Sequence, residues 1–192
     1  MAIQIAGGTQ RGRRLRTPPF AVETLRPTQA KVRAALFNII APRLPGSTFL
    51  DLFAGTGAVG LEAIGRGAKT SYLVDNDPAA LEVIRRNIRD LDHPDSVHLA
   101  DRNVFSFLKE EHPVRFDLVF ADPPYNLPLW PKLFRRLSRC AMIHDRAWIV
   151  IEHFHKGSLP SEEGRVRLVR TYEYGDTRLS LYHVVSEGAQ NP

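Results

Sequence analysis

The chain has 192 residues, a hydrophobic share of 43% and a formal net charge of +5. That length supports one domain with a full core, and no apolar run approaches the length of a membrane span. A single cysteine, Cys140, excludes an intrachain disulfide, and Met1 to Gly8 shows no basic-then-apolar leader, so the chain is expected in a reducing cytoplasm.

The charge is uneven. Residues 1–48 carry eight basic groups against Glu23 alone, which favours a polyanion partner. Met1 to Ala6 alternates weakly, as a strand does. Gly7 to Leu15 then reads as a glycine-punctuated basic hairpin or loop. Arg11, Arg13, Arg14 and Arg16 supply forks that match phosphate oxygens, with Arg26 farther on. Thr17-Pro18-Pro19 is a stiff break. Thr28 is placed to cap a helix over Gln29 to Ile40, with Val32 and Leu36 inward.

Thr48 to Phe53 is a short apolar run containing Asp51, as a buried parallel strand would be. Gly55, Gly57 and Gly60 follow, then a helical pattern through Leu61, Ala63 and Ile64. A strand, a glycine turn and a helix start let backbone approach a ligand closely. A dinucleotide-binding unit shares this outline, but Asp51 repels a pyrophosphate and suits a cationic or amine-bearing ligand. Asp-x-Phe-x-Gly-x-Gly, from Asp51 through Phe53 to Gly57, resembles the S-adenosylmethionine loop of class I methyltransferases.

Strand and helix then alternate. Thr70 to Val74 is a strand ending at Asp75. Asp77 caps a helix with Pro78 at its first position and Leu81, Ile84, Ile88 and Leu91 inward. Val97 to Leu99 is a strand, and Val104 to Leu108 a helix with Asn103 near its cap. Phe116 to Ala121 is another buried strand, ending in Asp122-Pro123-Pro124-Tyr125. Trp130 to Leu137 reads as an amphipathic helix and Ala147 to Glu152 as a fifth strand. His153 and His155 follow; without completing Cys or carboxylate spacing they read as surface or RNA-side residues, and no metal is expected. Arg165 to Glu173 and Thr177 to Val185, joined by Tyr174-Gly175-Asp176, form a closing antiparallel pair. Cys140 reads as a buried structural thiol.

Asp122-Pro123-Pro124-Tyr125 resembles the acceptor motif of methyltransferases acting on exocyclic or amide nitrogens. With Gly7-Gly8, Arg11-Gly12-Arg13, Arg26-Pro27-Thr28, Ala35 to Asn38, Leu50 to Gly57, Gly60 to Ala63, Arg66 to Ala68 and Tyr174 to Thr177, the chain resembles the RsmD-type guanine-N2 methyltransferases of bacterial small-subunit ribosomal RNA. The likeness runs from Ile5 to about Tyr182. It implies a Rossmann-like α/β fold, a mostly parallel seven-stranded sheet with helices on both faces. Residues 1–48 would be a basic extension on the RNA side, 49–185 the methyltransferase core and 186–192 a flexible tail.

The resemblance also implies site roles. S-adenosylmethionine would lie on Asp51, Phe53, Gly55, Gly57 and Asp75, with Asp51 toward its ammonium and Asp75 toward the ribose hydroxyls. Asp101 and Asn103 compete for the adenine amino group; the family pattern favours Asn103, with the Val104 amide facing a ring nitrogen. Asp122 and the Pro123 carbonyl would accept the hydrogens of the target amine, and Tyr125 would stack on the flipped base. The released proton goes to Asp122 or to water. Arg11, Arg13, Arg14, Arg16 and Arg26 would contact RNA. The expected partner is small-subunit (16S) ribosomal RNA within an assembling or assembled 30S particle, met by a monomer. A DNA adenine or protein glutamine methyltransferase is the nearest alternative; a nicotinamide-dependent oxidoreductase or a silent RNA-binding protein is farther off.

Overall fold

The computed structural model describes residues 3–17, 30–91, 95–111, 113–124 and 129–186. Arg26, the Thr28 cap, Tyr125 and the tail from 187 onward lie outside the described residues.

The chain opens with a small hairpin. β1 (Ile3–Gln4) pairs antiparallel with β2 (Arg14–Leu15). After α1 (Ala30–Ile40) comes a regular alternation: β3 (Thr48–Leu52), α2 (Ala58–Gly65), β4 (Thr70–Asp75), α3 (Pro78–Asp90), β5 (Val97–Asp101), α4 (Val104–Phe107) and β6 (Phe116–Ala121). α5 (Trp130–Arg139), β7 (Ile143–Phe154), β8 (Glu162–Glu163), β9 (Val166–Tyr174) and β10 (Thr177–Val184) complete it.

The main sheet has eight strands in the order β5-β4-β3-β6-β7-β10-β9-β8, not the expected seven. The extra one is β8, a two-residue strand turned back onto β9 at Gly164, where φ is 56°. The first five strands are parallel; β10, β9 and β8 add antiparallel at one edge. β7 starts four residues earlier than expected, at Ile143. The alternation breaks there because Arg146 takes a left-handed φ of 67° and the β6–β7 register shifts. That irregularity hides the strand start from a period-two reading.

Two apolar layers cover the sheet. One face packs α1, α2 and α3 around Phe37, Leu61, Ile84, Phe49 and Phe120. The other packs α4 and α5 around Phe107, Leu133, Phe134, Phe116 and Tyr182. Each such side chain contributes roughly 1.5–3 kcal/mol by leaving water. Cys140 belongs to the second layer, and burial pushes its thiol up, away from nucleophile chemistry. Arg165 ties the antiparallel edge to the α5–β7 connection, donating to the carbonyls of Ser138, Cys140 and Ile143 and pairing with Asp145 at 2.8 Å.

The N-terminal segment is a docked hairpin, not a free arm. Arg13 donates to the Asp90 carbonyl at 2.8 Å, and the Arg16 guanidinium meets the Asp90 carboxylate at 2.7 Å. Thr9 N–H bonds the Gly65 carbonyl at the end of α2. Arg33 is buried at 2% exposure, so it leaves the positive surface that its sequence position suggested.

Candidate active site at the strand carboxyl ends

β3 sits where the strand order turns: β4 and β5 lie to one side, β6 and β7 to the other. Open α/β sheets bind ligands in the crevice beyond the strand ends at this switch. The loop after β3 and the Asp122-Pro123-Pro124 turn after β6 emerge side by side there, because Leu52 pairs with Ala121.

The glycine loop is shaped by its backbone. Phe53 is held at φ 64°, a costly conformation for an aromatic residue, and Gly57, at φ 76°, caps α2 in the left-handed region. Gly60 lies against β4: a Cβ there would sit 2.0 Å from Leu73 Cδ2 and 2.7 Å from Ser71 Oγ. This glycine therefore serves helix–sheet packing, whereas Gly55 and Gly57 shape the turn itself.

The carboxylates divide in role. Asp51 is 1% exposed beneath the loop, and its Oδ2 accepts from Gly60 N–H at 3.0 Å. Burial raises its carboxyl to about 8; the Gly60 bond opposes this, and the Asp75 charge adds to the rise. Asp51 thus braces the loop from beneath, through Gly60. Asp75 is half-buried and holds three backbone amides. Its Oδ2 accepts from Gly55 at 2.8 Å, and its Oδ1 from Asn76 at 2.7 Å and Asp77 at 2.9 Å. Asp77 in turn caps α3 through Ala80 N–H at 2.8 Å, as its sequence position suggested.

One strand over, Asp101 pairs across from Asp75 and reaches Arg85 at 3.4 Å. Asn103 is exposed and caps α4, its Oδ1 accepting from Phe105 N–H at 3.0 Å. Val104 is the first residue of that helix and buried, where backbone N–H groups have no intrahelical partner. On the far side Asp122 is half-buried, Pro123 buried and Pro124 exposed.

Three residues that sequence reasoning passed over organise this end. Glu62 is fully buried on α2, and its carboxylate gathers Ala6 N–H at 3.0 Å, Arg33 at 2.9 Å and Arg66 at 2.7 Å. Arg33 also donates to the Gln4 carbonyl. Asn87 on α3 accepts from Arg16 N–H at 2.8 Å and donates to the Thr56 carbonyl at 3.0 Å, joining the hairpin exit to the glycine loop. Glu152 on β7 is 4% exposed. The signal for Glu62 was a lone carboxylate inside the apolar Ala58–Gly65 run.

His153 is buried at 2%, not on the surface. Its Nε2 meets Ser180 Oγ at 2.9 Å, which meets Thr171 at 2.9 Å, and its ring stands edge-on to Trp130. Burial lowers its pKa, favouring a neutral ring. Of the basic residues, Arg11 and Arg14 are exposed with no ion pair to a described residue, whereas Arg13 and Arg16 are spent on α3.

Asp75 and Asp101, at the ends of β4 and β5, offer carboxylate acceptors toward the crevice, and neither favours a pyrophosphate.

Comparison with known proteins agrees with this geometry. The family model described as conserved hypothetical protein 95 matches residues 3–183. The ribosomal RNA small subunit methyltransferase D of Escherichia coli K12 is 33% identical over 186 residues, spanning 97% of this chain and 92% of its own. Its Haemophilus influenzae namesake is 32% identical over 152 residues, 78% of each chain. The structure of a hypothetical protein from Thermus thermophilus superposes with a TM-score of 0.80 at 32% identity, covering 96% of this chain and 99% of that one. SMU.776, a structure complexed with SAH, shares the fold alone, with a TM-score of 0.67 and 18% identity over 91% of this chain and 52% of that one. The fold is the Rossmann-like one of class I methyltransferases. The chain belongs to the conserved hypothetical protein 95 family, whose members include the ribosomal RNA small subunit methyltransferase D proteins.

Proposed function

We propose that this protein methylates the exocyclic N2 amine of one guanine in small-subunit ribosomal RNA, using S-adenosylmethionine. The observation that carries the reading is the junction at Leu52 and Ala121, which sets the glycine loop and the Asp122-Pro123-Pro124 turn next to each other at the switch of the sheet. The relatives' names supply the RNA, and the SAH-complexed structure of the same fold supplies the cofactor class.

When bound, the cofactor offers an electrophilic methyl group on a sulfonium. The residues of this chain would do the rest. Gly55 and Gly57 leave room for the ligand's chain and ribose, and Asp75 keeps acceptor capacity for the ribose hydroxyls beyond its three amide bonds. Asp51 would brace the loop that faces the ammonium, through the bond it accepts from Gly60 N–H. Asn103 and Asp101 flank the adenine position. At the other side an exocyclic amine, its lone pair delocalised into the ring, is a poor nucleophile. The Asp122 carboxylate and the Pro123 carbonyl would accept its two hydrogens and favour the pyramidal form, so that catalysis is positioning and electrostatics. The prolines fix the turn. As the N–C bond forms and the methyl–sulfur bond breaks, leaving a neutral thioether, Asp122 or water would take the proton that the amine loses. Tyr125 follows directly and would stack on the base.

The substrate is taken to be an assembling or assembled 30S particle, met by a monomer, with Arg11 and Arg14 on its phosphates. Substituting Asp122→Ala tests the mechanism: methyl transfer should vanish while calorimetric cofactor binding stays. Undiminished turnover in that variant would remove Asp122 from the chemistry.

A further inference from the structure

We infer that Glu152 reads the N1–H of the target guanine, making it a specificity-determining residue of the site; the inference rests on the guanine reading proposed above. The argument begins with register. Asp51 pairs with Phe120, Phe120 with Val150, and Ala121 with Ile151. Side chains alternate across a strand, so the residues one step on, Asp122 and Glu152, stand at the same level on the same sheet face. Asp75 and Asp101 pair at the corresponding level on the cofactor side. The strand ends therefore present a row in which Asp101 and Asp75 flank the glycine loop on one side, with Asp122 and Glu152 on the other.

Glu152 differs from the other three. It is 4% exposed, and its partner on β10 is the fully buried Leu179. Along β7 its face is shared with the buried Val150. A carboxylate buried this deeply forms strong, directional hydrogen bonds and discriminates sharply between a donor and a lone pair. The extended strand fixes its position, whereas Asp122 lies on a turn.

Base chemistry supplies the donor. Guanine presents N1–H and the N2 amine side by side on its Watson–Crick edge, and adenine presents an unprotonated N1 beside its amine. With Asp122 and the Pro123 carbonyl on the amine hydrogens, the adjacent carboxylate falls to N1–H. An adenine placed the same way would set a ring-nitrogen lone pair against a carboxylate, which costs affinity by repulsion and by an unmet acceptor. The pair of neighbouring carboxylates thus explains choice of base as well as reaction.

The test uses Glu152→Gln, which keeps size and shape, and particles carrying either guanosine or 2-aminopurine riboside at the target position. 2-Aminopurine retains the 2-amine but has an unprotonated N1. The wild-type protein should prefer guanosine in kcat/KM by on the order of 10- to 100-fold. The variant should lose that preference, because a glutamine amide can donate to the bare N1, while its cofactor affinity by calorimetry stays unchanged. A variant that keeps the wild-type ratio overturns the role of Glu152 and leaves the methylation reading standing. A wild-type protein that transfers nothing to guanosine overturns both.

Discussion

Asp51→Asn isolates the most displaced ionisable group at the site. In the unfolded chain its carboxyl loses a proton near 3.8; in the fold, burial holds that proton until about 8. Between these values the folded state binds more protons than the unfolded one. Stability contributed by Asp51 is therefore intact below about 4 and falls as pH rises toward 8. The full displacement sets a ceiling of about 6 kcal/mol at about 1.4 kcal/mol per pH unit, and relaxation around a buried charge leaves roughly 2–3 kcal/mol of it. The asparagine carbonyl can still accept from Gly60 N–H. Ser71 Oγ, buried against the same glycine without a partner among the described residues, is at hand for the new amide. Thermal unfolding should then show the variant about 4–10 °C more stable than wild type at pH 8.5, with the gap closing toward pH 4.5. A difference that does not change with pH would refute the buried, protonated Asp51.

Other substitutions probe the frame. Gly60→Ala drives a Cβ into Leu73 and Ser71 and should cost about 1–3 kcal/mol by denaturant unfolding, without any change in charge. Glu62→Gln leaves Arg33 charged and buried, and should cost about 3–5 kcal/mol and loosen the hairpin in hydrogen exchange at Ala6. Neutralising Arg11 and Arg14 should flatten the salt dependence of RNA binding by roughly 0.7–0.9 in log–log slope per lost contact. Neutralising Arg13 and Arg16, already tied to Asp90, should change that slope less and lower the melting temperature more.

The parallel core was legible because its strands are buried on both faces and carry apolar runs: Phe116–Ala121 and the Asp77 cap fall where periodicity puts them. Local chemistry also marked the two loops, since glycines and prolines announce a turn directly. What stayed hidden depended on contacts between distant segments. Nothing in the run around Asp51 shows that the backbone folds over its carboxylate. Nothing near Arg33 shows that Glu62 waits 29 residues away. His153 reads as polar after a strand, and its burial depends on distant partners, Ser180 and Thr171 on β10 and β9 and the Trp130 ring on α5. Glu152 looked like the end of a strand; its place beside Asp122 appears only once β6 and β7 are in register. Charge counting overstated the basic extension because two arginines are tied to Asp90 and Arg33 is buried.

The central claim is methyl transfer to the N2 amine of a guanine, and one measurement addresses it directly. Small-subunit particles lacking the modification would be incubated with the protein and methyl-labelled S-adenosylmethionine, then digested to nucleosides for mass spectrometry. Label in N2-methylguanosine alone is the predicted result. Label in N6-methyladenosine, or in DNA but not in RNA, would contradict it while leaving the fold in place.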